Sequence, residues 1–175
     1  MTGKAAFLLP TLTLLGACQT VDEIPAQRLA HATIRTADGS LAGTAQVLQA
    51  GNQVNVVVAA AALPEGTRGT HLHMVGTCDA PDFSSAGAHL NPAAHKHGTE
   101  NAAGAHFGDL PNLTVGARGG GTMSATLQGT PQQIADILFD TDGTAIVVHA
   151  QPDDYRTDPS GNSGSRIACG VLVRD

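Results

Sequence analysis

The chain has no tryptophan, one tyrosine and four phenylalanines, so large aromatic rings cannot build its core. Val, Leu, Ile and Ala must fill it by close packing. Lys and Arg total nine against fifteen Asp plus Glu, for a formal net charge of −6. There is no basic run and no interleaving of aromatics with basic residues, which excludes a nucleic-acid surface. An anionic ligand would have to be drawn by a local positive field, because the global charge opposes it. Long amphipathic helical patterns are also missing. The apolar run Ala5 to Leu15 is too short for a permanent membrane span.

Histidine is what the chain does have. Six of its eight histidines (His71, His73, His89, His95, His97 and His106) fall between His71 and Asp109. That stretch is polar and rich in Gly and Ala, so it is not a core element. It nevertheless concentrates the side chain most often used to ligate metals. His71 and His73 stand two apart, and in an extended segment that spacing puts both rings on one face.

The N-terminus, MTGKAAFLLPTLTLLGAC, has one lysine, an apolar run and small residues before Cys18, the pattern of an export signal. A buried N-terminal helix fits less well, because the run is not striped and contains Pro10. The ending Leu15-Gly16-Ala17-Cys18 resembles a bacterial lipoprotein signal. That resemblance implies a signal peptide over 1–17, a lipidated Cys18 with a tether over 18–28, and one domain over 29–175. It also implies a bacterial periplasmic location with a lipid anchor in a membrane. Three cysteines is an awkward number for an exported protein unless one is used differently. With Cys18 on lipid, Cys78 and Cys169 remain as a pair in an oxidising compartment.

Alternation predicts strands at Leu29–Thr36 and Leu41–Gln49 around an Asp38-Gly39 turn, then at Asn52–Ala61, Gly121–Leu127, Ala145–Ala150 and Arg166–Val173. Ala135–Phe139 is compatible with another strand, and the overlapping PQQIAD segment with a short helical turn; the pattern does not decide. Between Gly76 and Gly120, and again from Gln151 to Ser165, periodicity is lost. Loops this long need ties such as a metal or a disulfide. The expected fold is all-β: an eight-stranded antiparallel Greek-key barrel or sandwich with two long functional loops.

The candidate ligands form two sets: His71, His73 and distant His149 on strand-like segments, and His97, His106 and Asp109 in the loop. His89 lies between them. Three histidines with an aspartate suit zinc, and four imidazoles suit copper. Two such shells need more positions than these seven, unless one residue serves both metals.

The motifs GTHLHMVGTC (69–78), GAHLNPAAHKHG (87–98), HFGDLPN (106–112), VVHAQPDDY (147–155) and GNSGSRIACGV (161–171) closely resemble those of the bacterial copper/zinc superoxide dismutases. The resemblance implies copper on His71, His73, His89 and His149, and zinc on His89, His97, His106 and Asp109, with His89 shared. It implies that Asp153 braces His71 and His97, that Arg166 and His89 act in catalysis on the superoxide anion, and that Cys78 and Cys169 are disulfide-bonded. Family members occur as monomers and homodimers. Thr70, Met74 and Leu90 depart from the common pattern at positions beside the ligands. Arg156 and Arg166 are the only basic residues between 151 and 169, so long-range guidance of the anion is expected to be weak. His31 and His95 read as surface residues. A non-enzymatic periplasmic copper/zinc carrier is the alternative function, but it has no need of Arg166 or a shared His89.

Overall fold

The computed structural model describes Gly3 and residues 25–175. The expected signal segment, Cys18 and most of the tether lie outside the described residues. β1 (Gln27–Thr36), β2 (Leu41–Ala50) and β3 (Gln53–Ala60) form an antiparallel meander. Its two turns place Gly39 and Gly51 at φ 82° and 58°, backbone that glycine adopts without steric cost. β1 starts at Gln27, so Gln27 and Arg28, assigned above to the tether, are paired with Gln49 and Leu48.

The remaining strands are β4 (Gly66–Arg68), β5 (Thr70–His73), β6 (Leu113–Val115), β7 (Gly121–Thr126), β8 (Ala145–His149), β9 (Arg166–Val171) and β10 (Val173–Arg174). The main sheet runs in the order β5-β8-β9-β1-β2-β3-β7, with β10 also on β1, and β4 pairs with β6 as a separate ribbon. All named pairs are antiparallel. The hydrogen-bonded path is a curled, open sheet that ends at β5 and β7. The short β4 and β6 strands, whose three residues are too few to show alternation, form no ladder with it.

Pro131–Leu138 is a helix, α1, and the strand considered at Ala135–Phe139 does not form. The reason is local. Thr130 and Gln133 make a reciprocal capping box and Pro131 occupies the first turn, which satisfies N–H groups that a helix start leaves unpaired. The helix buries Ile134 and Leu138.

The main core lines one face of the sheet with aliphatic side chains, including Ile34, Val47, Val56, Leu72, Leu113 and Ile146. Phe107 and Phe139 pack only at its margin. A second, smaller cluster holds Phe83, Ala86, Ala145, Val147 and Cys169. There Cys169 of β9 is bonded to Cys78, 91 residues away, with a Cα–Cα distance of 5.7 Å. This bond ties the first loop to the sheet beside β8, whose His149 faces the loop. Replacing both cysteines (Cys78→Ala with Cys169→Ala) is expected to cost about 2–5 kcal/mol. Urea unfolding of the metal-free protein measures it, and an unchanged midpoint would contradict the role given to the bond.

Candidate metal centre

Strand β5 presents His71 and His73 on one face and turns Leu72 into the core, where it is fully buried. Its free edge is covered by the loop rather than by another strand. Leu72 N donates to Gly108 O at 2.9 Å, Leu90 N donates to Leu72 O at 2.8 Å, and Gly108 N donates to Leu90 O at 2.8 Å. These bonds set His73 opposite His89 and His71 opposite Asp109. His149 ends β8, where the register with β9 shifts between Val148 and His149. Such an irregularity re-aims a side chain, and here the ring turns toward His71, 4.8 Å away between centroids.

His71, His73, His89 and His149 each offer a ring nitrogen within 4.8 Å of the others, and all four residues are buried. Each of the four has one inner ring nitrogen: His71 Nδ1, His73 Nε2, His89 Nε2 and His149 Nε2. Together with His97 Nδ1 they are buried polar atoms that have no hydrogen-bond partner among the described residues. The opposite nitrogens are engaged. His71 Nε2–H donates to Asp153 Oδ2 (2.7 Å), His73 Nδ1–H to Gly87 O (2.9 Å) and His149 Nδ1–H to Gly164 O (3.2 Å). Each acceptor fixes the tautomer that leaves the inner nitrogen with a lone pair.

A second constellation adjoins the first across His89. Asp109 Oδ2 accepts from Gly98 N (2.8 Å) and His106 N (3.0 Å), which leaves Oδ1 facing three rings. His89 Nδ1, His97 Nδ1 and His106 Nδ1 lie 3.0, 3.1 and 3.2 Å from it, and His89 Nδ1 is 3.4 Å from His106 Nδ1. Donors bonded at about 2.0 Å in a tetrahedron stand about 3.3 Å apart, so this set fits zinc. His71 also comes within 4.8 Å of His89, His97 and Asp109, because its ring stacks on His89 at 3.9 Å. Its Nε2 is committed to Asp153, however, and its Nδ1 belongs to the four-nitrogen set.

Plain core histidines do not account for this arrangement. A buried polar atom left unsatisfied costs about 1–3 kcal/mol, so five would rival the whole stability of an ordinary domain. Two metal ions sharing His89 would satisfy them all. Burial depresses the imidazoles: His71 is pushed down to about 4, His73 to about 2 and His149 to about 3. They therefore stay neutral and ready to ligate. For Asp109 and Asp153 burial acts the other way. Hydrogen bonds from His89 and Gly98 N–H outweigh it at Asp109, and those from His71, His97 and Tyr155 N–H outweigh it at Asp153, so both carboxyls end below their ordinary value.

Asp153 lies between the two sets. Its Oδ2 accepts from His71, and its Oδ1 accepts from His97 Nε2–H (2.9 Å) and from Tyr155 N (2.7 Å). Neighbouring Asp154 is exposed and only caps its own loop, through Arg156 N, Thr157 and Asn162. Arg166 donates to Phe83 O and Gly87 O, and Gly87 O is the same carbonyl that holds His73. With no carboxylate bonded to it among the described residues, Arg166 keeps a fixed positive charge beside the four-nitrogen set. Arg156, by contrast, is paired with Glu100. His31 pairs with Asp175 and His95 is exposed, so both lie outside the two sets.

Three supporting residues were not foreseen. Asn112 accepts from Asp153 N and donates to Asp153 O, each at 2.9 Å. Asp158 accepts from His97 N at 2.8 Å. Gly161 sits at φ 63°, and a Cβ there would overlap Asp153 Oδ1 and crowd His97 Nε2. Asn112 and Gly161 fall inside motifs quoted above, but only the tertiary approach reveals what they do.

The scaffold is predominantly β-sheet and brings four buried histidines together beside a second group of histidines around Asp109, an arrangement able to hold metal. The copper/zinc superoxide dismutase (SODC) family pattern matches residues 41–172. The chain is 40% identical over 148 residues to "Superoxide dismutase [Cu-Zn] 1" of Aquifex aeolicus, covering 81% of this chain and 86% of that one. It is also 40% identical over 149 residues to a "Superoxide dismutase [Cu-Zn]" of Caulobacter vibrioides, covering 82% and 84%. The crystal structure of a SOD-like protein from Bacillus subtilis superposes with a TM-score of 0.77 at 36% identity, over 84% of this chain and 100% of that one. The chain belongs to the copper/zinc superoxide dismutase family and is classed with its enzymes.

Gly161→Ala is expected to displace Asp153 and weaken zinc binding by about 10–100-fold. A competition titration with a chromophoric chelator measures the loss, and unchanged affinity would contradict the brace. Acid should also loosen the metal-free protein. The unfolded rings of His71, His73 and His149 take up protons near their ordinary value of 6.5, before the folded ones do. Their contribution to stability is complete above about pH 6.5 and falls as the pH drops toward 4 and below. Thermal melts of the metal-free protein at pH 7 and pH 5 test this; equal midpoints would contradict it.

Proposed function

We propose that the protein dismutates superoxide to dioxygen and hydrogen peroxide. On this reading His71, His73, His89 and His149 hold copper, and His89, His97, His106 and Asp109 hold zinc. The observation that carries the proposal is the set of five buried ring nitrogens without hydrogen-bond partners, four of them on histidines that each offer a ring nitrogen within 4.8 Å of the others. Bound copper supplies one-electron redox chemistry, and bound zinc supplies a fixed charge on the far side of His89.

The chain's own residues do the rest. Arg166 offers a small anion a positive charge held in place by two carbonyls, which needs no reorganisation when the anion arrives. His89 can serve both shells because its two nitrogens face opposite ways. Its Nε2 takes up a proton in one half of the cycle and delivers it to the departing peroxide in the other. His71, His73 and His149 are locked by Asp153, Gly87 O and Gly164 O, so on the copper side His89 is the ring left to move a proton. A carrier would have no use for an Arg166 held on two carbonyls beside the ligands, and this favours catalysis.

A signal peptide over 1–17, lipid on Cys18 and a periplasmic location are part of the same reading. The apolar run and the Leu-Gly-Ala-Cys ending support them, and the intact mass of the exported protein reports on them. We also read the β4–β6 ribbon as closing the sheet into a barrel. Its support is the close approach of Gly121 in β7 to the Thr114 carbonyl in β6. His149→Gln is expected to abolish dismutation while the protein retains one zinc per chain, as measured by a superoxide assay together with metal analysis. Full activity in this variant would refute the copper assignment.

A further inference from the structure

Apart from His89, which faces both sets, the histidines of the two sets share a rule with one exception. His71 and His97 give their outer nitrogen to Asp153, His73 gives its own to Gly87 O, and His149 gives its own to Gly164 O. His106 turns Nδ1 toward Asp109 and His89. Its Nε2 has no hydrogen-bond partner among the described residues, although only 7% of its side chain is exposed. The outer N–H of a metal-bound imidazole is almost always given to a carboxylate, a carbonyl or water, and here the protein provides no such group.

What lies beside His106 is a cavity of about 660 Å³, within the usual size range of small-molecule sites. Phe107, Leu110, Leu127 and Ile137 form much of its wall, with Leu110 and Leu127 almost fully buried and Phe107 and Ile137 packed against the core. His95 also lines it. The Nδ1–H of His95 donates to Ala105 O at 3.0 Å, so its Nε2 is free at the polar rim. The cavity thus combines an apolar body with one ring N–H at its wall that the described residues leave without an acceptor. Its single carboxylate, Asp109, has Oδ2 bound by two backbone N–H groups and Oδ1 turned to the three rings.

We propose that this cavity is a binding site for a compact apolar carboxylate, whose charged end accepts the His106 Nε2–H while its hydrocarbon body fills the pocket between Phe107, Leu127 and Ile137. Such a ligand supplies the carboxylate–histidine pairing that Asp153 gives to His71 and His97. It acts on the zinc side and does not enter the four-nitrogen set. The tautomer of His106 used here rests on the zinc reading above.

The test is calorimetric titration of 2-naphthoate, and separately of the uncharged 2-naphthalenemethanol, into the metal-loaded full chain. One saturable site is expected, with the carboxylate binding about tenfold or more tightly than the alcohol, the effect of one charge-assisted hydrogen bond. The His106 Nε2–H resonance should shift on addition of 2-naphthoate. Ile137→Glu places a like charge in the wall and is expected to weaken 2-naphthoate about tenfold or more, with metal content and dismutation unchanged. Should that variant fail to fold, the resonance and the alcohol comparison still decide on the unaltered protein. A metal-loaded protein that ignores 2-naphthoate, binds both compounds equally, or binds with no effect at His106 would overturn this inference alone. A protein that takes up no zinc would instead contradict the function proposed above.

Discussion

The long loops of this structure answer to the need to satisfy buried imidazole nitrogens around one central ring, His89. Rings taken out of water keep their polarity, and each inner nitrogen left without a partner carries a penalty. The chain satisfies the outer nitrogens of His71, His73, His97 and His149 with a carboxylate and two carbonyls, and aims the inner ones at two points on either side of His89. This division of each ring into a braced edge and an open edge suits the site to holding metal rather than serving as a polar core.

The scaffold is arranged to hold that division. Leu72 is the hinge between fold and site, since its side chain fills the aliphatic core while its backbone ties down the loop at Leu90 and Gly108. On the far side Asp153 is gripped by Asn112 and passes close over Gly161. The non-glycine residues with left-handed backbone, Phe83, Ala94, Tyr155 and Asn162, all lie in the irregular segments around the ligands. Such backbone persists only where surrounding contacts enforce it. Tyr155 illustrates this: its N–H reaches Asp153 and its hydroxyl accepts from Asn112 N. Long loops that would be a liability in an ordinary sandwich are here fixed by side-chain and disulfide ties.

Most of the fold was legible because half-buried antiparallel strands write alternation into the sequence, as in Val54, Val56 and Val58 of β3. The candidate ligand positions stood out because metal chemistry admits few residue types. What escaped has physical reasons. At two or three residues, β4, β6 and β10 are too short to show a period. The apolar residues of α1 suit a strand as well as a helix, and only the Thr130–Gln133 capping pair separates the two readings. The open path of the sheet depends on which edges pair, and composition does not encode that. The need for glycine at 161 comes from a carboxylate arriving from eight positions earlier in the chain, and Asp158 reads as one more acidic loop residue until His97 N is seen to donate to it.

The most direct test of the central claim is anomalous scattering from crystals of the metal-loaded protein, measured on both sides of the copper and zinc absorption edges. The account predicts two peaks joined by one imidazole: copper against His71 Nδ1, His73 Nε2, His89 Nε2 and His149 Nε2, and zinc against Asp109 Oδ1 and the Nδ1 atoms of His89, His97 and His106. A single peak, or two peaks of which only one contacts His89, would contradict it.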